Sequence, residues 1–160
     1  MKKMKKTIKF LYFVITFSFL VCVDLYFSNL IVFNLINGWK LSAKFLNIIY
    51  AENTGAAFSI MQDSTGFLAF LSVIALVLIF YYIIKHLEII NLKGLFFFAF
   101  LTSGIACNLY ERIFFGHVRD FFDLTFVDFP IFNISDIFIN IGVIGIIILL
   151  LLTKKNVRIL

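Results

Sequence analysis

Residues 66–84, GFLAFLSVIALVLIFYYII, contain no charged side chain and are long enough to cross a bilayer as one helix. Three further apolar runs reach a similar length, at about 8–27, 94–113 and 134–152. Of the 160 residues, 62% are hydrophobic and 14% are charged, against about 25% charged in a soluble domain. Too little polar surface remains to solvate a globule. The sequence therefore predicts an all-α membrane protein, a four-transmembrane-helix bundle that forms a single domain over 1–160.

The basic residues are concentrated on one side of the predicted membrane topology. Ten of the 14 fall in the termini and in the 85–93 turn: Lys2, Lys3, Lys5, Lys6, Lys9, Lys85, Lys93, Lys154, Lys155 and Arg158. The other four are Lys40, Lys44, Arg112 and Arg119. Because cytoplasmic loops carry an excess of Lys and Arg, both termini are expected in the cytoplasm. The net charge of +5 thus indicates orientation and does not favour nucleic-acid binding.

The longest stretch outside the predicted spans is 28–65. Its Asn37-Gly38 pair predicts a turn, and Lys44–Tyr50 and Ala56–Met61 have strand-like composition. We expect a small extracytoplasmic β element between helices 1 and 2, lying on the outer membrane surface.

Polar residues from several segments converge at the outer end of the bundle. Asp24 ends the first span, and Asp120, Asp123 and Asp128 lie in the outer loop before Asp136, which opens the fourth span. A charge within hydrocarbon costs at least about 2.5–3.5 kcal/mol, so such residues usually mark a paired or functional site. Each residue singly fits a helix end that reaches the headgroups. Their convergence favours a site near the outer leaflet.

The third span carries a polar face at its outer end. Gly104, Asn108, Glu111 and Arg112 stand at i, i+4, i+7 and i+8, which places them on one side of a helix. Gly104 would allow a close helix approach, and Glu111 and Arg112 are interpreted as an ion-pairing buttress. At the start of the fourth span, Asn133 is a candidate N-cap. Asn140, one turn beyond Asp136, is expected to hydrogen-bond across helices.

The residue types narrow the chemistry to carboxylates. His86 and His117 stand alone, and Cys22 and Cys107 form no CxxC spacing, so a metal site is disfavoured. Neither a G-x-S-x-G motif nor a glycine-rich phosphate loop occurs. Two carboxylates held close together share one proton and need neither a metal nor an organic cofactor. Composition leaves open which two aspartates would form the pair.

The chain resembles the prolipoprotein signal peptidases, the type II signal peptidases of bacteria. The resemblance rests on five segments in order: Asp24-Leu25, NTGAAF at 53–58, Gly104 to Arg112 through Asn108-Leu109, VRDFFD at 118–123 and FNISD at 132–136. It departs from the usual family pattern at Ser28, Cys107, Glu111 and Arg119, where Lys, Gly, Asp and a small apolar residue are usual. These departures bear on efficiency more than on identity.

The resemblance implies that Asp120 and Asp136 are the catalytic pair. It also implies a supporting set around them: Asp24, Asn53, Gly55, Gly104, Asn108, Glu111, Arg112 and Asn133. The expected partners are membrane lipid and diacylglyceryl-modified prolipoproteins, cut just before the lipidated Cys. The expected location is the bacterial cytoplasmic (inner) membrane, with the site near the outer leaflet. Asp123 and Asp128 are assigned to the polar face of the loop and to a solvated turn.

Three alternatives remain. An inactive relative would bind lipoprotein precursors without cutting them. A small transporter or channel component would carry polar residues through the full depth of its spans, whereas here they stop in the outer half. A presenilin-like protease would carry a Gly-x-Gly-Asp signature, which this sequence lacks.

Overall fold

The computed structural model describes residues 5–55 and 61–154. Its helices are α1 (Lys6–Ile36), α2 (Thr65–His86), α3 (Leu92–Phe115) and α4 (Ile134–Lys154). All four are long and apolar enough to cross a membrane. The strands are β1 (Leu41–Ser42), β2 (Leu46–Asn53) and β3 (Val118–Leu124). The predicted class, four apolar helices with a small β element, is confirmed.

Helix α1 extends nine residues past the predicted end at residue 27. Residues 28–36 hold no Pro or Gly, and Val32 is buried against Ile48 and Phe121 of the sheet. Helical spacing and tertiary packing thus carry the helix beyond the run chosen on apolarity. It ends where the turn was predicted, at Asn37 and Gly38, and Gly38 has a φ of +88° that favours glycine.

Helix α3 is the centre of the bundle and packs against α1, α2 and α4. Two glycines let α3 and α4 approach closely. A Cβ at Gly104 would overlap the carbonyl oxygen of Ser135, and a Cβ at Gly142 would lie 2.5 Å from the backbone nitrogen of Leu101. The close helix approach predicted at Gly104 is confirmed.

The three strands form one antiparallel sheet in the order β1-β2-β3. Strand β2 matches the predicted strand 44–50 with a shift of two to three residues. The second predicted strand, 56–61, lies outside the described residues except for Met61, which stands in a turn with a φ of +58°. The sheet adjoins the end of the bundle where α1 and α3 finish and α2 and α4 begin, hereafter the sheet end.

Strand β3 corrects the assignment of Asp120 and Asp123 to a loop. The sequence does not predict this strand because three charged residues interrupt its apolar pattern, and Asp in particular is depleted in strands. These residues are Arg119, Asp120 and Asp123. In the structure, Asp123 pairs with Asn47 of β2 and Asp120 with Ala51. Phe121 between them is fully buried, so packing under the sheet fixes the register.

At the opposite end of the bundle, Lys9 joins α1 to the turn between α2 and α3. Its ammonium donates hydrogen bonds to the carbonyl oxygens of Leu87, Glu88 and Ile90 at 3.2, 2.8 and 2.7 Å. The side chain is 9% exposed. A cation therefore satisfies three carbonyls at the end of α2, where the helix dipole is negative.

Candidate active site

Asp120 is held on β3 by two neutral amides. Its side chain is 2% exposed. Asn53, the last residue of β2, donates to one carboxylate oxygen at 2.9 Å, and Asn133 donates to the other at 2.9 Å. The Asn53 side chain is itself fixed, because its oxygen accepts from the backbone N–H of Gly55 at 3.0 Å. The strand and the two amides leave the Asp120 carboxyl little rotational freedom.

Asp136 lies in the first turn of α4 and forms a reciprocal cap with Asn133. The Asn133 side-chain oxygen accepts from the backbone N–H of Asp136 at 2.9 Å, and the backbone N–H of Asn133 donates to the Asp136 carboxylate at 3.2 Å. This arrangement satisfies N–H groups that the helix start would leave free, and the predicted N-cap is confirmed. Asn108 of α3 donates to the second Asp136 oxygen at 2.9 Å.

The two carboxyls belong to one hydrogen-bonded network. The Asn133 amide donates to Asp120 and also to the side-chain oxygen of Asn108 at 3.1 Å, while Asn108 donates to Asp136. The pKa of Asp120 is raised from 3.8 to about 7, chiefly by burial and also by the negative charge of nearby Asp136, against the lowering effect of the two amides. Two aspartates from separate elements thus stand together at the sheet end, one of them with a pKa near neutrality.

Both aspartates line a cavity of about 1500 Å³. At the sheet end its walls are polar, with Asn53, Asn108 and Arg112 beside the carboxyls. Away from the sheet the cavity becomes a mostly apolar groove over α3. Its apolar lining is Phe97 and Ile105 of α3 with Ile137, Ile141, Ile144 and Ile148 of α4, and its polar side chains are Ser72 of α2 and Asn140 of α4. The carboxyls therefore lie at the polar end of this mostly apolar groove.

Arg112 connects the cavity wall to the segment after β2. Its guanidinium donates to the carbonyl oxygen of Gly55 at 3.1 Å and to that of Asn108 at 3.4 Å. Its buried Nε finds no partner among the described residues. Their spacing on α3 predicts Glu111 and Arg112 as ion-pairing groups. In the structure Arg112 bonds carbonyl oxygens beside the carboxyls instead.

Glu111 pairs with Arg119, a residue that the sequence interpretation treated as a departure from the family pattern. The Arg119 Nε donates to both Glu111 oxygens at 2.9 and 3.0 Å, and Nη2 makes a further short bond to Glu111. The pair could be predicted only with the strand over 118–124, because the strand turns Arg119 away from the cavity and towards α3.

Asp24 of α1 is buried beside the start of α4. It is 2% exposed and accepts hydrogen bonds from Ser135 at 2.7 Å and from Ser28 at 3.4 Å. Ser28, which stands where the family pattern has Lys, thus supplies a neutral donor in its place. Asp24 connects α1 to the turn of α4 that carries Asp136.

The remaining sequence candidates occupy other positions. Asp123 accepts from Asn47 at 3.0 Å within the sheet, and Asp128 is exposed and lines the cavity. Asn140 donates to the carbonyl oxygen of Asp136 in its own helix at 2.9 Å, and among the described residues the expected cross-helix bond is not made. Within residues 5–55 and 61–154, no group of three His, Cys, Asp or Glu side chains is placed to hold a metal ion.

Comparison with known proteins gives the same family by two routes, a family model and named relatives. The family model described as signal peptidase (SPase) II matches residues 16–152. A lipoprotein signal peptidase of Microcystis aeruginosa is 39% identical over 101 residues, covering 62% of this chain and 63% of that protein. One from Streptococcus pyogenes serotype M5 is 35% identical over 105 residues, covering 66% of this chain and 68% of that protein. The chain thus aligns with a little under two thirds of the Microcystis relative.

Two solved structures share the fold. A bacterial membrane enzyme determined by the in meso method at 2.3 Å superposes with a TM-score of 0.81 at 33% identity, over 90% of each chain. A second, at 1.9 Å, gives 0.76 at 34% identity over 87% of this chain and 92% of the other. With four apolar helices and bacterial relatives, this is a multi-pass protein of the bacterial cytoplasmic membrane. Since the family model covers nearly all of it, the chain belongs to the signal peptidase II family.

Proposed function

We propose that this protein is an aspartic endopeptidase that removes the signal peptide from diacylglyceryl-modified prolipoproteins, cutting before the lipidated Cys with Asp120 and Asp136 as its catalytic pair. One observation carries the proposal: the buried carboxyl of Asp120 and the half-buried carboxyl of Asp136 come from different elements, share Asn133 as a donor and line one cavity. The whole chain acts as one peptidase domain, and the reaction uses no cofactor.

The electrostatics suit a pair that shares one proton. Two adjacent carboxyls resist double ionisation, and the pKa of Asp120, raised to about 7 chiefly by burial, keeps a proton available at neutral pH. The bonds to Asp120 and Asp136 from Asn53, Asn108 and Asn133 come from neutral amides and a backbone N–H. These donors orient the carboxyls and carry no net charge themselves; the positive charge beside the pair is that of Arg112, which lines the same cavity.

The shared proton allows hydrolysis in two steps. The ionised carboxylate takes a proton from water as the water oxygen bonds to the scissile carbonyl carbon, while the protonated carboxyl donates its proton to the carbonyl oxygen. In the second step the C–N bond breaks and the nitrogen of the lipidated Cys receives a proton from the pair, while one hydroxyl of the resulting diol gives its proton back to the pair as the carbonyl re-forms. The pair then again holds one proton, and the products are the signal peptide and the free amine of the lipidated Cys.

The groove fits a substrate that is mostly apolar. From Asp136 to Ile148 it follows 12 residues of α4, about 18 Å at the rise of an α-helix. A hydrophobic signal helix and acyl chains can pack against its isoleucines, and because lipid tails are equally apolar, the gain there comes from van der Waals contact. The lipidated Cys would hold the scissile bond at the polar end, beside the two aspartates.

The orientation that this substrate requires agrees with the charge distribution. Ten of the 14 basic residues fall in the two termini and in the turn between α2 and α3, so both termini face the cytoplasm. The sheet end, with the two carboxyls, then lies near the outer leaflet. A prolipoprotein anchored by its signal helix and its lipid would present its cleavage site at this depth.

The test is cleavage of a diacylglyceryl-modified precursor by the purified protein in detergent or liposomes. The wild type should yield the shortened lipoprotein, and Asp120→Asn and Asp136→Asn should each reduce turnover by at least about 10³-fold, because neither amide can take or give the shared proton. Asp123→Asn is the matched control, since Asp123 lies on the same strand and also accepts from an asparagine. Absence of cleavage by the wild type, where an established signal peptidase cuts the same precursor, would refute the proposal and favour the inactive relative.

A further inference from the structure

Strand β3 presents its neighbouring residues Arg119 and Asp120 to opposite sides. Asp120 lines the cavity, whereas Arg119 enters the interior between α1 and α3, where it is 8% exposed. There Glu111, 4% exposed, accepts from the Arg119 guanidinium and, at 2.8 Å, from the Arg119 backbone N–H. The carboxylate of Glu111 therefore binds both the side chain and the main chain of the residue that precedes Asp120.

Arg119 also contacts two further groups. Its Nη2 donates to the side-chain oxygen of Asn29 on α1 at 3.0 Å, and its guanidinium carbon lies 4.2 Å from the ring centroid of Phe115 at the end of α3. One side chain thus joins β3 to α1 and to α3. These are the helices against which α4, the helix of Asp136, is packed.

The cost of burying this pair argues for a role beyond cohesion. Replacing a buried ion pair by apolar residues of similar size is often neutral or stabilising, because two charges lose their water. What the pair supplies and apolar packing does not is direction, since a bidentate guanidinium–carboxylate contact fixes both distance and angle. That directional contact stands one residue before Asp120.

We propose that Arg119, through its buried pair with Glu111, is a positioning residue that sets where the Asp120 carboxyl lies relative to Asp136. The inference rests on the proposed function. Arg119 acts through the backbone of β3 and lies on the face of the strand away from the cavity. Its loss would displace Asp120 while leaving the substrate groove along α4 intact.

The experiment measures kcat and KM for a lipidated precursor in the wild type, Arg119→Ala and Arg119→Lys. Arg119→Ala should lower kcat by roughly 10- to 100-fold, since small displacements of reacting groups cost this much, and should leave KM within about threefold. Arg119→Lys keeps the charge but loses the bidentate contact, so its kcat should fall between the two. Guanidinium ion in the assay should restore part of the kcat of Arg119→Ala.

Lys9→Met is the matched control for loss of a buried cation. Lys9 is as buried as Arg119 and donates three hydrogen bonds, but at the opposite end of the bundle. The Lys9→Met variant should have lower thermal stability, a kcat within about twofold of wild type, and no recovery of kcat with guanidinium ion. If Arg119→Ala does not fold, the fall in kcat of Arg119→Lys carries the test.

Two results distinguish failure of the proposed function from failure of the positioning role alone. A wild type that does not cleave refutes the proposed function and this inference with it. A wild type that cleaves, with either folded Arg119 variant at wild-type kcat or with Lys9→Met losing as much kcat as the Arg119 variants, refutes the positioning role alone. A fall in kcat with KM unchanged, confined to the Arg119 variants, supports the positioning role.

Discussion

The side-chain amide of Asn133 donates a hydrogen bond to the Asp120 carboxylate at 2.9 Å, across 13 residues of sequence. The same residue is the N-cap of α4 and bonds Asp136 through its backbone N–H. One asparagine therefore both starts the helix that carries one carboxyl and orients the other. Its structural and chemical roles can be separated by substitution.

Asn133→Ala should lose both roles. Removal of an N-cap costs about 1 kcal/mol, and removal of a donor to a buried carboxylate costs about 1–3 kcal/mol, so thermal unfolding in detergent should occur at lower temperature. Asn133→Ser keeps a capping oxygen but is too short to reach Asp120. It should retain most of the stability and still cleave precursor at least about tenfold more slowly than wild type. Wild-type turnover in the serine variant would show that the cap alone matters.

The raised pKa of Asp120 makes stability depend on pH. In the unfolded chain this carboxyl ionises near pH 3.8, whereas in the folded protein it holds its proton to about pH 7. Between these values the unfolded state binds fewer protons, so the free energy of unfolding should fall as pH rises, by up to about 1.4 kcal/mol per pH unit. Asp120→Asn should flatten this dependence between pH 4 and 7 in thermal unfolding measurements. An equally steep wild-type and variant profile would contradict the shift.

Asn53→Ala should move the alkaline limb of the cleavage rate to higher pH. The Asn53 amide favours the ionised form of Asp120, so its loss raises the pKa of that carboxyl and the pair keeps its proton longer. A hydrogen bond to a charged group is worth about 1.5 kcal/mol, which corresponds to a displacement of roughly one pH unit. Asn47→Ala removes an equivalent bond, to Asp123 in the same sheet, and should leave the limb where it is. A displacement to lower pH in Asn53→Ala would exclude this role.

Gly104→Ala should destabilise the contact between α3 and α4. The added Cβ would overlap the Ser135 carbonyl oxygen and lie 3.0 Å from the backbone nitrogen of Ile139, and backbone at a close helix crossing cannot easily move. We expect a loss of about 1–3 kcal/mol in unfolding, with reduced turnover because α4 carries Asp136. Gly66→Ala, in the first turn of α2, should be neutral or slightly stabilising, since no described residue lies within 4 Å of the added Cβ. Equal stability of Gly104→Ala and Gly66→Ala would mean that α3 and α4 can move apart with no loss in the free energy of unfolding.

Hydropathy and the order of motifs predicted the four helices and the family, because both are properties of local sequence. The strand around Asp120 was not predictable in the same way. Its pattern is interrupted by charges, and its conformation comes from pairing with β2 and from Phe121 packing under the sheet. Without the strand, Arg119 could not be directed towards Glu111, and Glu111 was grouped with Arg112 on spacing alone.

The end of α1 shows the same dependence on tertiary structure. Apolarity falls after Phe27, but Val32 in the following turns packs against Ile48 and Phe121 of the sheet, a contact that no window of local sequence contains. The bridge from Asn133 to Asp120 likewise joins a helix start to a strand. Spacing along one helix predicts only neighbours on that helix.

Lys9 also affects how membrane insertion can be studied. Its ammonium is part of the folded interior, holding three carbonyl oxygens of the turn between α2 and α3. Neutralising the amino-terminal lysines as a set, the usual way to ask whether their charge governs insertion, would therefore also weaken helix packing. Retaining Lys9 while changing Lys2, Lys3, Lys5 and Lys6 would keep a misinserted protein distinguishable from one that is correctly inserted but degraded.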